Sequence, residues 1–255
     1  MSGSRHGSMP RPVVTMWLLV GAALLVLQGI TRMGWVSPTI LSAPTDVARS
    51  LWEIVSTAAF YRDFSQTIIE TTASIAISIG LGVPVGLGFK LAPRIGRMFE
   101  PYLIGLYAMP LVLFYPFLLV AFGLGPAPII IIASAMGIIP VIINSWMAFS
   151  NVPEIYYKVA AVVGCTGMQR FRRIILPAAA PLLFAGFKLS LIYSFVGVIV
   201  MEFMIGSVGL GFQIDNSYND FKVQDMYAYV VIVVTLAAVF SMLMSRVENR
   251  MRREQ

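Results

Sequence analysis

The sequence predicts an all-α, polytopic membrane protein with six transmembrane helices, and three observations carry that expectation. Mean hydropathy is +0.83. Hydrophobic residues make up 58% of the 255 and charged residues only 12%, far too little charge for the surface of a soluble globular domain. The apolar residues also fall in runs close to the roughly 20 that cross a bilayer core as a helix, separated by short polar segments.

Taken in order, residues 1–12, MSGSRHGSMPRP, hold the only histidine, His6, and are expected to be disordered. Residues 13–30 form the first span. A cleaved signal peptide is the alternative, but the run is long for such a segment and no A-x-A site follows. Within 31–65, LSAPTDVARSLWEIV reads as a short amphipathic helix at the outer interface, capped near Thr45 or Asp46. The second span, 66–91, contains GLGVPVGLG, whose small residues let helices approach closely or kink. The third, 102–122, carries Pro110 and Pro116 and should be bent or broken. The fourth covers 127–149 with Pro140 and Asn144, the fifth 178–203 and the sixth 227–245. The transmembrane domain is therefore expected over 13–245, with a basic tail at 246–255.

Between the fourth and fifth spans lies the longest polar interruption of the second half, residues 151–177. Asn151 and Glu154 read as an Asn variant of a capping box, with Pro153 in the first turn. Ile155, Val159, Val162 and Val163 recur at helical spacing, and Glu154 and Lys158 form an i, i+4 pair. Gly164 and Gly167 end this helix, a short segment carries Arg170, Arg172 and Arg173, and Pro177 opens the next span. The expectation is an amphipathic helix, a turn and a second helix against a membrane.

Lysine and arginine set the orientation. With the N-terminus inside, 13 of them lie in inner segments, among them Lys90, Arg94 and Arg97, against four outside, Arg32, Arg49, Arg62 and Lys222. That bias predicts both termini in the cytoplasm and loop 151–177 with them. It also explains the net charge of +6 without nucleic acid as a partner.

The spacing Gly164, nine residues, Ile174, one residue, Leu176-Pro177 resembles the EAA signature loop of permease subunits of binding-protein-dependent ABC importers. Counting back from Gly164, the Glu-Ala-Ala of that signature falls on Lys158, Val159 and Ala160, so only its second Ala is kept, and Glu154 one turn earlier is the available substitute. The Leu41, Pro44, Val47 pattern and GSVGLGF at 206–212 also resemble that family, and Gly82-x-Pro84-x-Gly86 and the paired Pro110 and Pro116 before Gly123-Leu124-Gly125 are similar to its aliphatic sulfonate, taurine and nitrate branch. The resemblance implies a type I ABC importer-like fold. It further implies a homodimer in the bacterial inner membrane, two cytoplasmic ATPase subunits that bind ATP and magnesium, and an external solute-binding protein. Glu154, Lys158, Val159, Ala160, Gly164, Ile174, Leu176 and Pro177 would form the coupling surface.

Several chemistries are excluded. No Walker A sequence occurs, so this chain is not its own ATP engine and is expected not to be an enzyme. The lone His6 and lone Cys165 support neither a hydrolase triad nor a disulfide or zinc site, and no cofactor is expected on this chain. Three ionisable groups lie within spans: Glu70, Lys188 and Glu202. Glu70 and Glu202 fall toward the outer ends of their helices and are read as interfacial, solvated carboxylates, with a pathway or pairing role as the alternative, and Lys188 as a residue that can snorkel. Lys188 and Glu202 also resemble positions in the family's fifth span, which implies pairing or fold roles for them. Tyr107, Tyr115, Asn144, Tyr193 and Glu202 are the candidates to line a solute path. Asp215, Asp220 and Asp225 make the loop after the fifth span acidic. Import by alternating access of a sulfonate-, taurine- or nitrate-like anion or a vitamin precursor is the expected function. The rival is an ion-coupled secondary transporter using Glu70, Lys188 and Glu202 as a relay.

Overall fold

The computed structural model describes residues 11–37 and 40–253, and all regular structure among them is helical. Of the expected disordered segment 1–12, only the last two residues are described, and they open α1 (Arg11–Arg32). There follow α2 (Pro44–Val55), α3 (Ala58–Leu91), α4 (Pro93–Ala108), a 3-10 turn at Leu111–Phe114, α5 (Tyr115–Phe122) and α6 (Pro126–Ser150). The second half comprises α7 (Glu154–Val162), α8 (Gly167–Arg170), a π-helical turn at Phe171–Ile175, α9 (Leu176–Ile205), α10 (Leu210–Asn219) and α11 (Val223–Arg253).

The described residues hold four helical runs long and apolar enough to cross a membrane: Ala58–Leu91, Pro126–Ser150, Gly167–Asn219 and Val223–Glu248. A fifth is the pair Pro93–Ala108 and Leu111–Phe122, which meet at 86°. In α1 the stretch Leu18–Arg32 is apolar but shorter than a span. The break in the third span was expected from two prolines, and one of them makes it. Met109, preceding Pro110, is held extended at φ −81, ψ 138, as a residue before proline prefers. Pro116 instead sits in the first turn of α5, where a missing N–H costs nothing and the helix starts rather than breaks.

The core is a three-helix layer with α6 in the middle, α3 on one side and α9 on the other. Their contact is close because small residues face each other. A Cβ on Gly82 would lie 2.7 Å from Cγ1 of Val141, and one on Gly86 2.6 Å from Cβ of Ser145. Gly186 and Gly197 of α9 press against Asn144 and Ala133 from the other side. Serines fasten the same interfaces: Ser78 Oγ donates to the carbonyl of Ser134 at 2.9 Å and Ser194 Oγ to that of Ala133 at 3.2 Å. Lipid tails give no hydrophobic drive to helix pairing, so these close approaches and bonds of roughly 0.6 kcal/mol each supply the association.

Three local expectations are corrected. The capping box expected at Asn151 is absent: Asn151 closes α6, and α7 is preceded by Pro153 with no side-chain cap. A capping box does occur at Thr166, whose side chain accepts from the Gln169 N–H while the Gln169 side chain accepts from the Thr166 N–H. Gly167 therefore opens a helix instead of ending one. Likewise α2 begins after Ala43 with Pro44 in its first turn. Thr45 and Asp46 turn back to α1, Thr45 Oγ1 accepting from Gln28 and Arg32, and Asp46 lying 3.8 Å from the Arg32 guanidinium. The residues read as a basic tail continue α11 to Arg253.

Candidate functional site

Loop 151–177 sits at one end of the bundle beside Lys90. It encloses a groove of about 720 Å³ lined by Lys90, Phe149, Tyr157, Lys158, Arg170 and Phe171 among others. Its fold follows from local chemistry. Gly164 adopts φ +70, a left-handed conformation that ends α7, and the Cys165 N–H reaches back to the Ala160 carbonyl at 3.0 Å. The next helix then runs unbroken into α9. Pro177 cannot donate, and its ring would clash with the carbonyl of Arg173, four residues earlier. The widened turn relieves this: the Leu176 N–H bonds to the carbonyl of Phe171, five residues back.

The residues expected to couple are all gathered in or beside this loop, with divided exposures. Ala160 is fully buried, while Ile155, Val159, Val162 and Val163 are uncovered, Val162 at 88%. Glu154 and Lys158 approach to 3.9 Å, both well exposed, so the pair is worth only a few tenths of a kcal/mol by the usual scale of surface i, i+4 pairs. Ile174 is half-buried, and Leu176 and Pro177 lie in the first turn of α9.

At the opposite end the expectation of solvated carboxylates fails. Glu70 and Glu202 are 1% and 0% exposed. Glu202 Oε1 accepts from Thr67 Oγ1 at 2.7 Å and its Oε2 from the Gly211 N–H at 2.8 Å, while the Leu210 N–H donates to Thr67 Oγ1 at 2.9 Å. The carboxylate thus holds the Gly209-Leu210-Gly211 turn against α3 and α9. Gly209 is required there, because its φ is +123 and any Cβ would run into the Glu202 carboxyl. Asp63, also buried, accepts from Gln213 Nε2 at 2.6 Å and lies 3.3 Å from the Arg62 guanidinium. Asp225 accepts from Ser50, fastening α11 to α2, so the acidic loop is only partly a solvated one. Asp63, Thr67 and Gln213 were not foreseen, although Asp63, Thr67, Glu70, Ser74 and Ser78 recur at helical spacing and form the buried face of α3.

Lys188 pairs, but with α11: its Nζ donates to Ser245 at 2.9 Å and lies 3.7 Å from Glu248. It stands 14 positions from Glu202 on the same helix, roughly 21 Å along the axis. No relay joins these groups.

The residues expected along a solute path do not form one lining. Tyr107 and Tyr193 come together, ring centroids 5.2 Å apart, around a cavity of about 40 Å³ that also touches Met109, Met136 and Ile139. Tyr115 instead packs against Ile129, Ile132 and Met201. Asn144 bonds its own helix, donating to the Pro140 carbonyl at 2.8 Å, and Glu202 belongs to the turn described above.

A helical bundle with one apolar span broken at Pro110, another fused to an amphipathic loop and an uncovered apolar face on that loop defines a multi-pass membrane protein. Residues 78–253 match the family described as Binding-protein-dependent transport system inner membrane component, and the chain belongs to it. It is similar to a Bacillus subtilis (strain 168) permease protein named for aliphatic sulfonates transport, 25% identical over 215 residues that cover 84% of this chain and 78% of the relative. A Nitrate import permease protein of Leptolyngbya laminosa is 23% identical over 242 residues, 89% of this chain and 85% of that one. In fold it resembles a chain of the inward-facing MetNI methionine ABC transporter, with a TM-score of 0.61 and 21% identity over 73% of this chain and 93% of that one. The protein is thus a permease subunit of a binding-protein-dependent transport system, a multi-pass transport subunit of the inner-membrane type.

Proposed function

We propose that α7, with the turn at Gly164 and the run from Thr166 to Pro177, docks onto a separate ATPase subunit that binds and hydrolyses ATP with magnesium. The observation that supports this is the uncovered stripe of Ile155, Val159, Val162 and Val163 on a loop whose other face, at Ala160, is fully buried. An apolar face rimmed by Glu154, Lys158 and Arg170 fits a protein partner better than water. In this reading both termini and the loop are cytoplasmic, α1 completes six spans, and two copies of the chain stand over two ATPase subunits. The Gly209-Leu210-Gly211 turn belongs to the face that receives an external solute-binding protein. The cargo is a small anion of the sulfonate or nitrate type, and the Tyr107 and Tyr193 pair lies beside its path. Alternating access follows when closure of the ATPase dimer shifts the loop.

The test is co-purification in mild detergent from cells expressing the chain with its neighbouring genes. A Walker A protein should come with wild type and be lost with Val163→Asp, while the variant keeps its elution volume and melting temperature. Wild type recovered alone, and transporting in vesicles without ATP, overturns the reading.

A further inference from the structure

At the end of the bundle away from loop 151–177, between α3, the start of α6 and the end of α9, lies a cavity of about 170 Å³. Gln66, Glu70, Gly125, Pro126, Gly206 and Ser207 are among its lining residues. Glu70 is 1% exposed. Its Oε1 accepts from Gln66 Nε2 at 2.7 Å, but its Oε2 is buried without a hydrogen-bond donor. The Glu202 carboxyl is close enough to interact with it, and none of the ion pairs among the described residues includes either glutamate.

Each element around the cavity withholds positive charge. The lining holds no Lys, Arg or His; its side-chain donors are the Gln66 amide and the Ser207 hydroxyl, and the nearby amides of Leu210 and Gly211 are already bound to Thr67 and Glu202. The helix start that should favour an anion is weakened, because α6 opens Pro126-Ala127-Pro128 and two of its first amides are missing. Helix α9 ends beside the cavity at Ile205 and Gly206, presenting the negative end of its dipole. Two buried carboxyls side by side at such a space need a proton or a cation between them.

We propose that this cavity binds a hard cation of sodium or calcium size, held by Glu70 Oε2 with the Gln66 amide oxygen and carbonyl oxygens at the end of α9, with the Glu202 carboxyl beside it keeping one proton when the ion is monovalent and ionised when it is divalent. An all-oxygen donor set suits such ions and not soft ones. No group of three or more His, Cys, Asp and Glu able to hold a metal occurs among the described residues, which weighs against a transition metal. Because Glu202 also anchors the Gly209-Leu210-Gly211 turn, the ion fastens that turn to α3 and makes its order depend on salt composition. The site stands independently of the docking role of loop 151–177.

The test uses the full chain in detergent, exchanged into choline chloride and then titrated with sodium, potassium, magnesium or calcium chloride at constant ionic strength. The melting temperature should rise to saturation with sodium or with calcium, and which of the two acts identifies the ion. Equilibrium dialysis with the radioactive ion should retain it on wild type, several-fold more weakly on Gln66→Leu and not on Glu70→Gln. A rise of equal size in wild type and Glu70→Gln overturns the proposal. So does a wild type that none of the four salts stabilises and that retains no ion, since a proton shared by the two carboxyls then fills the place. If Glu70→Gln does not fold, wild type and Gln66→Leu decide it: retention by wild type weakened several-fold in the variant supports the site, and equal retention by both overturns it.

Discussion

At the end holding Glu202, carboxylates are buried and bonded while the apolar side chains beside them, Leu210 and Phe60, are covered. At the end holding loop 151–177, charged groups are exposed and the apolar residues Val162 and Val163 are uncovered. The first end satisfies most of its polar groups within one chain, Glu70 Oε2 excepted. The second leaves its apolar face for something outside the chain to cover. Under the proposed docking role, stability and partner recognition should therefore be separable, and substitutions should sort by end.

The strongest way to break that contrast is Glu202→Ala. It strips Thr67 and the Gly211 amide of their acceptor inside the bundle and should cost about 3 kcal/mol, read as a large drop in melting temperature in detergent; a loss near zero would mean the turn is held by something else. Next is Gly86→Leu, which drives a side chain into Ser145 of α6. Overpacking of this kind costs about 2 kcal/mol, and a melting temperature like wild type would show that the α3 and α6 contact is looser than 2.6 Å implies. At the other end Val162→Asp should stay within about 0.5 kcal/mol of wild type, yet lose the ATPase subunit in co-purification; a stability loss as large as that of Gly86→Leu would erase the distinction between the ends.

The smallest effect belongs to Lys222. Its hydrogen bond to Asp220, and then the attraction of that carboxylate, raise the ammonium above the ordinary 10.5. A raised value stabilises the fold fully below 10.5 and loses that contribution only as pH climbs through the folded value. Lys222→Met should accordingly leave the dependence of the melting temperature on pH unchanged between about pH 6 and 9, with any divergence from wild type confined to stronger alkali.

Four spans and the broken one were legible because length and hydropathy report directly on the membrane, while α1 holds only a shorter apolar stretch; the break at Pro110 was legible because proline chemistry is local. Where sequence reasoning failed, the deciding contacts were distant in the chain. Asn151 has the composition of a cap, but α6 continues to Ser150 and claims Asn151 as its end. Glu202 looked interfacial by its position in the span, and nothing local announces that Gly211 and Thr67 converge on it. One signal was available: Asp63, Thr67, Glu70, Ser74, Ser78, Gly82 and Gly86 repeat at helical period through an apolar segment. Where the outside is lipid, that polar and small stripe is the inward face, the inverse of a soluble helix. The apolar stripe of α7 was legible for the opposite reason, since an amphipathic surface helix keeps its pattern within nine residues.

The π-helical turn at Phe171–Ile175 removes a joint from the molecule. Because it lets Pro177 sit inside a continuous helix, the segment from Gly167 to Ile205 is a single rod, roughly 58 Å long at about 1.5 Å per residue. Each degree by which its lower end is tilted swings the upper end by about 1 Å. Glu202 rides near that upper end, so a rotation at the foot of this run, as far as Pro181 within it holds straight, would reach the turn on the far side as displacement.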